Sequence, residues 1–241
     1  MTSQPSQRAF ETTRWSMITQ IFGADDRASN DALDELSLRY RYAIYAYVRC
    51  CGHPSDIALD ITRSFNHHLR QHYHEPGRSP GKERFRRFLL ASLNDWLAGD
   101  WRETRDESDE DAASADDADL EVRYLRDSPQ FESPEHAFQR AFALEMLARA
   151  LSRLRAEARN TGHDDMYDAL APFLTHDPLA GEYDEIARAL RTRSLTLVVA
   201  LKRLRQRLRE LASEELADTV SSADEFATEQ NALLTVLQSR N

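Results

Sequence analysis

Apolar residues recur every three or four positions along most of this chain, a spacing that predicts amphipathic helices rather than strands. The clearest apolar stripe lies within residues 195–211 and has these members: Leu197, Val198, Leu201, Leu204, Leu208 and Leu211. A shorter helix is predicted over residues 183–190, and residues 191–194 form a tight turn between the two. A short helix, a tight turn and a longer helix follow the order of a helix-turn-helix.

The same periodicity predicts helices along the rest of the chain. Their predicted ranges are 14–22, 30–50, 55–69, 83–104, 134–159, 164–174 and 223–237. The chain contains only 7 glycines and 8 prolines, and runs of β-branched residues are scarce. Because this composition favours helix over strand, the sequence predicts an all-α protein.

The net charge of −10 argues against a nucleic-acid partner when it is taken alone. The charge is segregated, however. Residues 106–119 contain eight acidic residues and no basic one, whereas residues 188–209 contain eight basic residues and no acidic one. The cations of the second stretch fall on the predicted helix-turn-helix, where they can meet phosphates. A solvated basic surface helix is the plainer interpretation of the same pattern.

Residues 106–132 combine low hydrophobicity with dense negative charge, which predicts a mostly disordered acidic linker. Within it, residues 120–125 are compatible with a short helix. The linker separates a first helical bundle (residues 1–105) from a second (residues 133–220), which is followed by a C-terminal tail (residues 221–241).

The sequence also bears on the cellular setting of the protein. No stretch is apolar enough to predict a membrane span, and the N-terminus lacks the apolar core of a secretory signal. Cys50 and Cys51 are adjacent in a predicted helix and cannot readily bridge each other. We therefore expect a reducing, cytoplasmic setting and no membrane partner.

Five stretches, in the same order along the chain, resemble bacterial RNA polymerase sigma factors of the extracytoplasmic-function type. They are FETTRWS at 10–16, RYRYAIYAYV at 39–48, DITRSF at 60–65, FRRFLLASLNDWLAGDW at 85–101 and ALKRLRQR at 200–207. The first is similar to the N-terminal entry of one subgroup, and the second to the aromatic-rich helix of region 2. The third is similar to the polymerase-docking helix and the fourth to the promoter-melting segment. The fifth is similar to the recognition helix of region 4. The turn before the recognition helix usually has a glycine in this family, and here that position is Arg191.

The resemblance implies a non-enzymatic protein that binds RNA polymerase core and promoter DNA, is monomeric when free, and has no cofactor, metal or catalytic residue. The residues that it assigns to polymerase docking are Asp56, Asp60, Thr62, Arg63 and Asn66. The residues that it assigns to promoter melting are Arg86, Arg87, Trp96 and Trp101. The residues that it assigns to DNA contacts of the recognition helix are Arg193, Ser194, Thr196, Lys202, Arg203 and Arg205.

The predicted docking helix departs from the family where the family carries carboxylates, because Ile57, Leu59 and Ser64 stand at those positions. Loss of negative charge at a docking surface weakens binding to a basic partner. Thr62 lies three residues after Leu59, on the same helical face, and a phosphate there would add about −1.5 to −2 charges. We therefore hypothesise that a Ser/Thr protein kinase activates the protein at Thr62, with Ser64 as the second candidate.

Two other functions stay open at the level of sequence. A helical adaptor or anti-regulator without DNA contact would present the same basic helix as a solvated surface. A metalloprotein is suggested by four histidines near one helix end, at 67, 68, 72 and 74, of which His68 and His72 have the i, i+4 spacing of metal ligands. No cysteine and only the carboxylate of Glu75 lie near them, and imidazoles also favour helix C-termini for electrostatic reasons.

Overall fold

The fold is that of a computed structural model, which describes residues 26–72, 85–99, 115–179, 181–217 and 223–238. Within these ranges every regular element is a helix and there is no strand, so the predicted all-α class is confirmed there. The predicted first helix, 14–22, lies outside the described residues. No helix in the described part of the chain is both long and apolar enough to cross a bilayer.

Nine α-helices follow one another in the described ranges. In chain order they are α1 (Asp26–Cys50), α2 (Ser55–His72), α3 (Phe85–Ala98), α4 (Ala115–Asp127), α5 (Pro134–Asn160), α6 (Asp164–Leu170), α7 (Glu182–Ala189), α8 (Ser194–Ala217) and α9 (Ala223–Gln238). Short 3-10 segments, Ser128–Gln130 and Ala171–Leu174, follow α4 and α6. The amphipathic periodicity therefore translates into helices at nearly every predicted place within these ranges.

The chain is divided into two compact units. Unit 1 comprises Met1–Glu145 and Leu216–Asn241, and unit 2 comprises Met146–Glu215. These boundaries fall inside α5 and near the end of α8, whereas the sequence analysis placed them at 132 and 220. The difference arises because the first half of α5 and the whole of α9 pack within unit 1.

Aromatic side chains of α1 form the centre of unit 1. Tyr40, Tyr42 and Tyr45 are almost completely buried, and the ring of Tyr40 stacks on Phe142 of α5 with a centroid distance of 4.9 Å. Helix α2 packs against α1 and buries Phe65. Because each buried aromatic ring removes about 150–250 Å² of surface from water, α1 makes the largest single contribution to this core.

Helix α4 corrects the prediction of a disordered acidic linker for its described part. Leu120 is buried, and the carboxylate of Glu121 accepts hydrogen bonds from Arg49 at 2.9 Å and 3.0 Å and from the hydroxyl of Tyr45 at 2.5 Å. Glu121 thus meets a cation and a hydroxyl of α1 that lie more than seventy residues earlier in the chain. Residues 106–114 of the predicted linker lie outside the described residues.

Hydrogen bonds from neighbouring side chains lower the pKa values of two carboxylates of α4. The Arg49 guanidinium, by hydrogen-bonding to Glu121, lowers the pKa of that carboxyl against the opposing effect of burial. At Asp127 burial raises the pKa, but hydrogen bonds from Arg126 and Tyr42 outweigh it, so the pKa lies below its ordinary value. Both groups stabilise the fold above their ordinary pKa and lose that contribution as the pH falls through the lowered values.

Helix α9, which the sequence analysis assigned to a tail, is anchored in unit 1. Arg86 of α3 forms an ion pair with Glu229, and both side chains are buried. The Arg140 guanidinium of α5 donates a hydrogen bond to the carbonyl of Val236 at 2.5 Å. Leu233 adds a buried apolar contact. Removing one partner of a buried ion pair strongly destabilises a protein. The stability of α9 and that of α3 therefore depend on each other.

Shortening Leu233 tests the contribution of α9 to unit 1. Leu233 is 3% exposed and its neighbour Leu234 is 48% exposed, so the two residues form a matched pair on one helix. We expect Leu233→Ala to lower the free energy of unfolding by about 2–4 kcal/mol, and Leu234→Ala to change it by less than about 0.5 kcal/mol. Urea denaturation followed by circular dichroism measures both values, and equal effects would contradict the packing of α9.

Candidate nucleic-acid interface

The turn between α7 and α8 has a left-handed residue at its centre. Arg191 has a φ of 51° and is the one non-glycine residue with positive φ in the described ranges. The N–H of Thr192 donates to the carbonyl of Ala187 at 2.9 Å, and the N–H of Arg191 donates to Arg188 at 3.3 Å. This pair of hydrogen bonds is the Schellman motif that ends a helix abruptly. Arg191 therefore adopts the conformation for which a glycine is usual.

Helix α8 begins immediately after this turn and is tied to α7. The carbonyl of Arg193 accepts hydrogen bonds from the N–H groups of Thr196 and Leu197, which identifies Arg193 as the N-cap residue. The hydroxyl of Ser194 donates to the carboxylate of Asp184 in α7 at 2.5 Å. Because that hydroxyl is engaged within the protein, Ser194 has less capacity for the DNA contact that the resemblance implied.

A small apolar cluster holds α6, α7 and α8 together. Leu170, Ala187, Leu197 and Leu201 are buried in it, one or two residues from each helix. Half-buried side chains, among them Ile186, pack around these four. Since Leu197 and Leu201 face inward, the positions on the opposite side of the first turns of α8 face outward.

Four cations surround the outward side of the start of α8. The side chains of Arg191, Arg193, Lys202 and Arg203 are exposed, and none of them forms an ion pair within the part of the chain that the structure describes. Lys202 and Arg203 lie two turns into the helix, and Arg191 and Arg193 lie in the turn that precedes it. Such a group of unpaired cations at the start of a helix suits the phosphates that flank a DNA groove.

The next two arginines of α8 have structural roles instead. Arg205 is half-buried and donates to the carbonyls of Phe173 and His176 and to the carboxylate of Asp177, which together fix the segment after α6. Arg207 is paired with Glu157 of α5 at 2.7 Å. Of the residues predicted to contact DNA from α8, Arg205 and Ser194 are therefore the two whose donors are already engaged within the protein.

Three aliphatic side chains are exposed on the first two turns of α8. Leu195 is 73% exposed, Val198 is 42% exposed and Val199 is 43% exposed. Val198 was predicted to lie on the apolar stripe that faces the core, and this prediction is wrong because Val198 lies about 100° from Leu197 around the helix. The helical-wheel angle from Leu197 and Leu201 is the signal that separates the exposed aliphatic residues from the buried ones.

An open cleft of about 650 Å³ adjoins this face within unit 2. Leu195 and Val199 of α8 line the cleft together with Leu154, Met166 and Tyr167. Arg203, Glu157 and His163 also belong to the lining. The start of α8 thus combines exposed cations with an apolar surface that extends into this cleft.

The residues assigned to promoter melting have different surroundings. Arg86 is only 4% exposed: it pairs with Glu229 and lies over the ring of Phe142, 4.6 Å from its centroid. Trp96 is buried against Phe65 and His68. These two side chains fill the core of unit 1, so they are not available at its surface in this structure. Arg87 is exposed, and Trp101 lies outside the described residues.

The residues assigned to docking and phosphorylation lie on α2. Asp56 is exposed, whereas Asp60, Arg63 and Ser64 are half-buried. Thr62 is 1% exposed, and its hydroxyl donates to the carbonyl of Ala58 at 2.7 Å. The hydroxyl of Ser64 donates to the carbonyl of Asp60 at 2.8 Å. The side chain of Asn66 lies outside what the structure describes.

The histidine group does not assemble into a metal site within the described side chains. There, no three histidine, cysteine, aspartate or glutamate side chains lie close enough together to hold a metal ion. His67 is exposed, and His68 stacks on Trp96 with ring centroids 5.7 Å apart. The side chain of His72 and the whole of His74 lie outside the description.

Comparisons with known proteins give no relative for this chain. No family model, no curated protein and no solved structure matches it.

Replacement of Arg191 tests the strained turn. An L-residue in the left-handed region costs about 1–2 kcal/mol, and glycine avoids this strain at some entropic cost in the unfolded chain. We expect Arg191→Gly to raise the free energy of unfolding of unit 2 by about 0.5–1 kcal/mol. Arg191→Ala is the control, because it removes the charge and keeps the strain. Thermal unfolding measures both, and equal stability of the two variants would contradict the strain.

Proposed function

We propose that this chain is a bacterial RNA polymerase sigma factor of the extracytoplasmic-function type. In this proposal unit 2 binds promoter DNA through the start of α8, and unit 1 binds the polymerase core. The observation that carries the proposal is the group of exposed, unpaired cations, Arg191, Arg193, Lys202 and Arg203, around a helix that begins directly after a tight turn. The resemblance of five collinear stretches to sigma factors is the reason to propose RNA polymerase core as the partner of unit 1.

The arrangement of charge supports DNA as the partner of α8. A chain with a net charge of −10 is repelled from DNA as a whole, so binding needs a local surface where cations are not already neutralised. Arg205 and Arg207 are engaged by carbonyls and carboxylates, while Lys202 and Arg203 are not. Arg188 and Arg209 are also exposed and form no ion pair among the described residues. Lys202 and Arg203 lie closer to the helix start than Arg209 does, and it is near a helix start that base edges and flanking phosphates are reached.

The DNA-binding surface can be tested through its salt dependence. Promoter fragments are first selected with the protein assembled on RNA polymerase core. The affinity of the protein for a selected duplex is then measured at several salt concentrations. Each phosphate contact contributes about 0.9 to the slope of log affinity against log salt. We expect Lys202→Ala and Arg203→Ala each to reduce the slope by about 1 and to reduce promoter-dependent transcription.

Arg155→Ala is the control variant, because Arg155 is an exposed cation of unit 2 that pairs with Asp168. It should leave both the salt slope and transcription unchanged. A complete failure of the protein to direct core polymerase to any fragment, with and without phosphorylation, would contradict the proposed function.

Activation by phosphorylation remains part of the proposal, but the favoured residue becomes Ser64. The hydroxyls of Thr62 and Ser64 both donate to the carbonyl four residues earlier, so burial is what separates the two, and Thr62 is only 1% exposed. A phosphate carries about −1.5 to −2 charges, and an unpaired buried charge is strongly unfavourable. Ser64 lies two positions further on and is half-buried, so a phosphate there would be less enclosed than one on Thr62. Its charge would stand near Asp60, on a helix whose docking surface has few carboxylates.

Glutamate substitutions separate the two candidate residues. We expect Ser64→Glu to strengthen binding to polymerase core relative to Ser64→Ala, because it restores negative charge at the docking surface. We expect Thr62→Glu to lower the free energy of unfolding by about 3 kcal/mol, because it buries a carboxylate without a partner. Affinity for core and thermal unfolding are measured for all three variants. A stable Thr62→Glu protein with enhanced core binding would return the switch to Thr62.

A further inference from the structure

The first two turns of α8 carry few groups that can hydrogen-bond to base edges. Residues 194–199 are Ser, Leu, Thr, Leu, Val and Val. Leu197 is buried and the hydroxyl of Ser194 is engaged by Asp184. Thr196 is thus the polar side chain left on these turns, next to the exposed aliphatic side chains of Leu195, Val198 and Val199. Readout of guanine or adenine normally uses arginine, lysine, asparagine or glutamine, none of which occurs in 194–199.

An aliphatic side chain meets one apolar feature in the major groove, the C5-methyl group of thymine. We propose that α8 reads a thymine-containing site through contacts of Leu195, Val198 and Val199 with thymine methyl groups. The inference rests on the proposed function, and it adds the chemical feature of the DNA that the helix recognises. Arg191, Arg193, Lys202 and Arg203 hold the flanking phosphates in this arrangement.

The spacing of the aliphatic residues suits neighbouring bases. An α-helix rises about 1.5 Å per residue, so Leu195 and Val199 lie about 6 Å apart along α8. Base pairs are spaced about 3.4 Å along the duplex, so one helical turn spans about two base steps. Side chains one turn apart can therefore meet methyl groups on thymines that are two steps apart.

The charge around the aliphatic face selects duplex DNA over a protein partner. Four cations border the face, and none has an acidic neighbour in an ion pair among the described residues. An exposed aliphatic group on its own would also suit a protein. The unpaired cations on both sides of it, in the turn and two turns later, match the two phosphate backbones that border a groove.

Uracil replacement removes the methyl group and nothing else from each thymine. The full chain assembled with polymerase core, and the full chain alone, are titrated with the duplex selected above and with its deoxyuridine-substituted form. A buried methyl contributes enough to reduce affinity about fourfold when it is lost, so we expect a reduction of about 16-fold when two contacts are removed and about 64-fold when three are removed. Leu195→Ala and Val199→Ala are each expected to reduce the ratio of the affinity for the thymine duplex to the affinity for the uracil duplex.

Leu234→Ala, which shortens an exposed aliphatic side chain of unit 1, serves as the control and should leave the ratio unchanged. Equal affinity for the thymine and uracil duplexes, with the Lys202 and Arg203 effects retained, would overturn the methyl contacts and leave the proposed function standing. Equal losses on both duplexes in the Leu195 and Val199 variants would also overturn them. Loss of core binding in those variants, with DNA binding intact, would assign the face to a protein. Failure to bind any duplex would overturn the proposed function as well.

Discussion

The burial of Leu197 and Leu201 fixes the rotation of α8 about its own axis, and the candidate interface depends on that rotation. Both leucines pack with Leu170 of α6 and Ala187 of α7. With 3.6 residues per turn, inward positions at 197 and 201 leave one set of outward positions. The left-handed residue Arg191 determines where the helix begins. Two apolar contacts and one backbone conformation thus decide which side chains a DNA groove would meet.

Pairing, rather than the number of charges, separates structural from available ionic groups in this protein. In unit 1 the carboxylate of Glu121 is matched by Arg49, so that the negative charge of α4 holds it against α1. In unit 2 Arg207 is matched by Glu157, whereas Arg203 has no such partner in the described ranges. A net charge of −10 conceals this difference. Affinity for an anionic partner follows from the local excess of unpaired cations.

The presence and type of most helices could be predicted from the sequence, because the apolar period is a local property. The fate of single side chains could not, because it depends on contacts distant in sequence. Arg86 was predicted to contact DNA, but it pairs with Glu229, which lies more than a hundred residues later in the chain. The acidic stretch resembled a linker because nothing local shows that Arg49 lies opposite Glu121. Thr62 is polar by identity and buried by packing.

In the proposed DNA complex, affinity and sequence discrimination would depend on different side chains around the start of α8. Cations bind phosphates that are identical at every base pair, so they provide attraction without information about sequence. A single exposed aliphatic side chain contributes little to binding, whereas a cluster of them on a surface favours association with another molecule. In the proposed complex, the role of Leu195 and Val199 would be to contact the C5-methyl group, which only thymine carries. A helix start with few hydrogen-bonding side chains can therefore still distinguish base pairs, provided that the cations bring it into the groove.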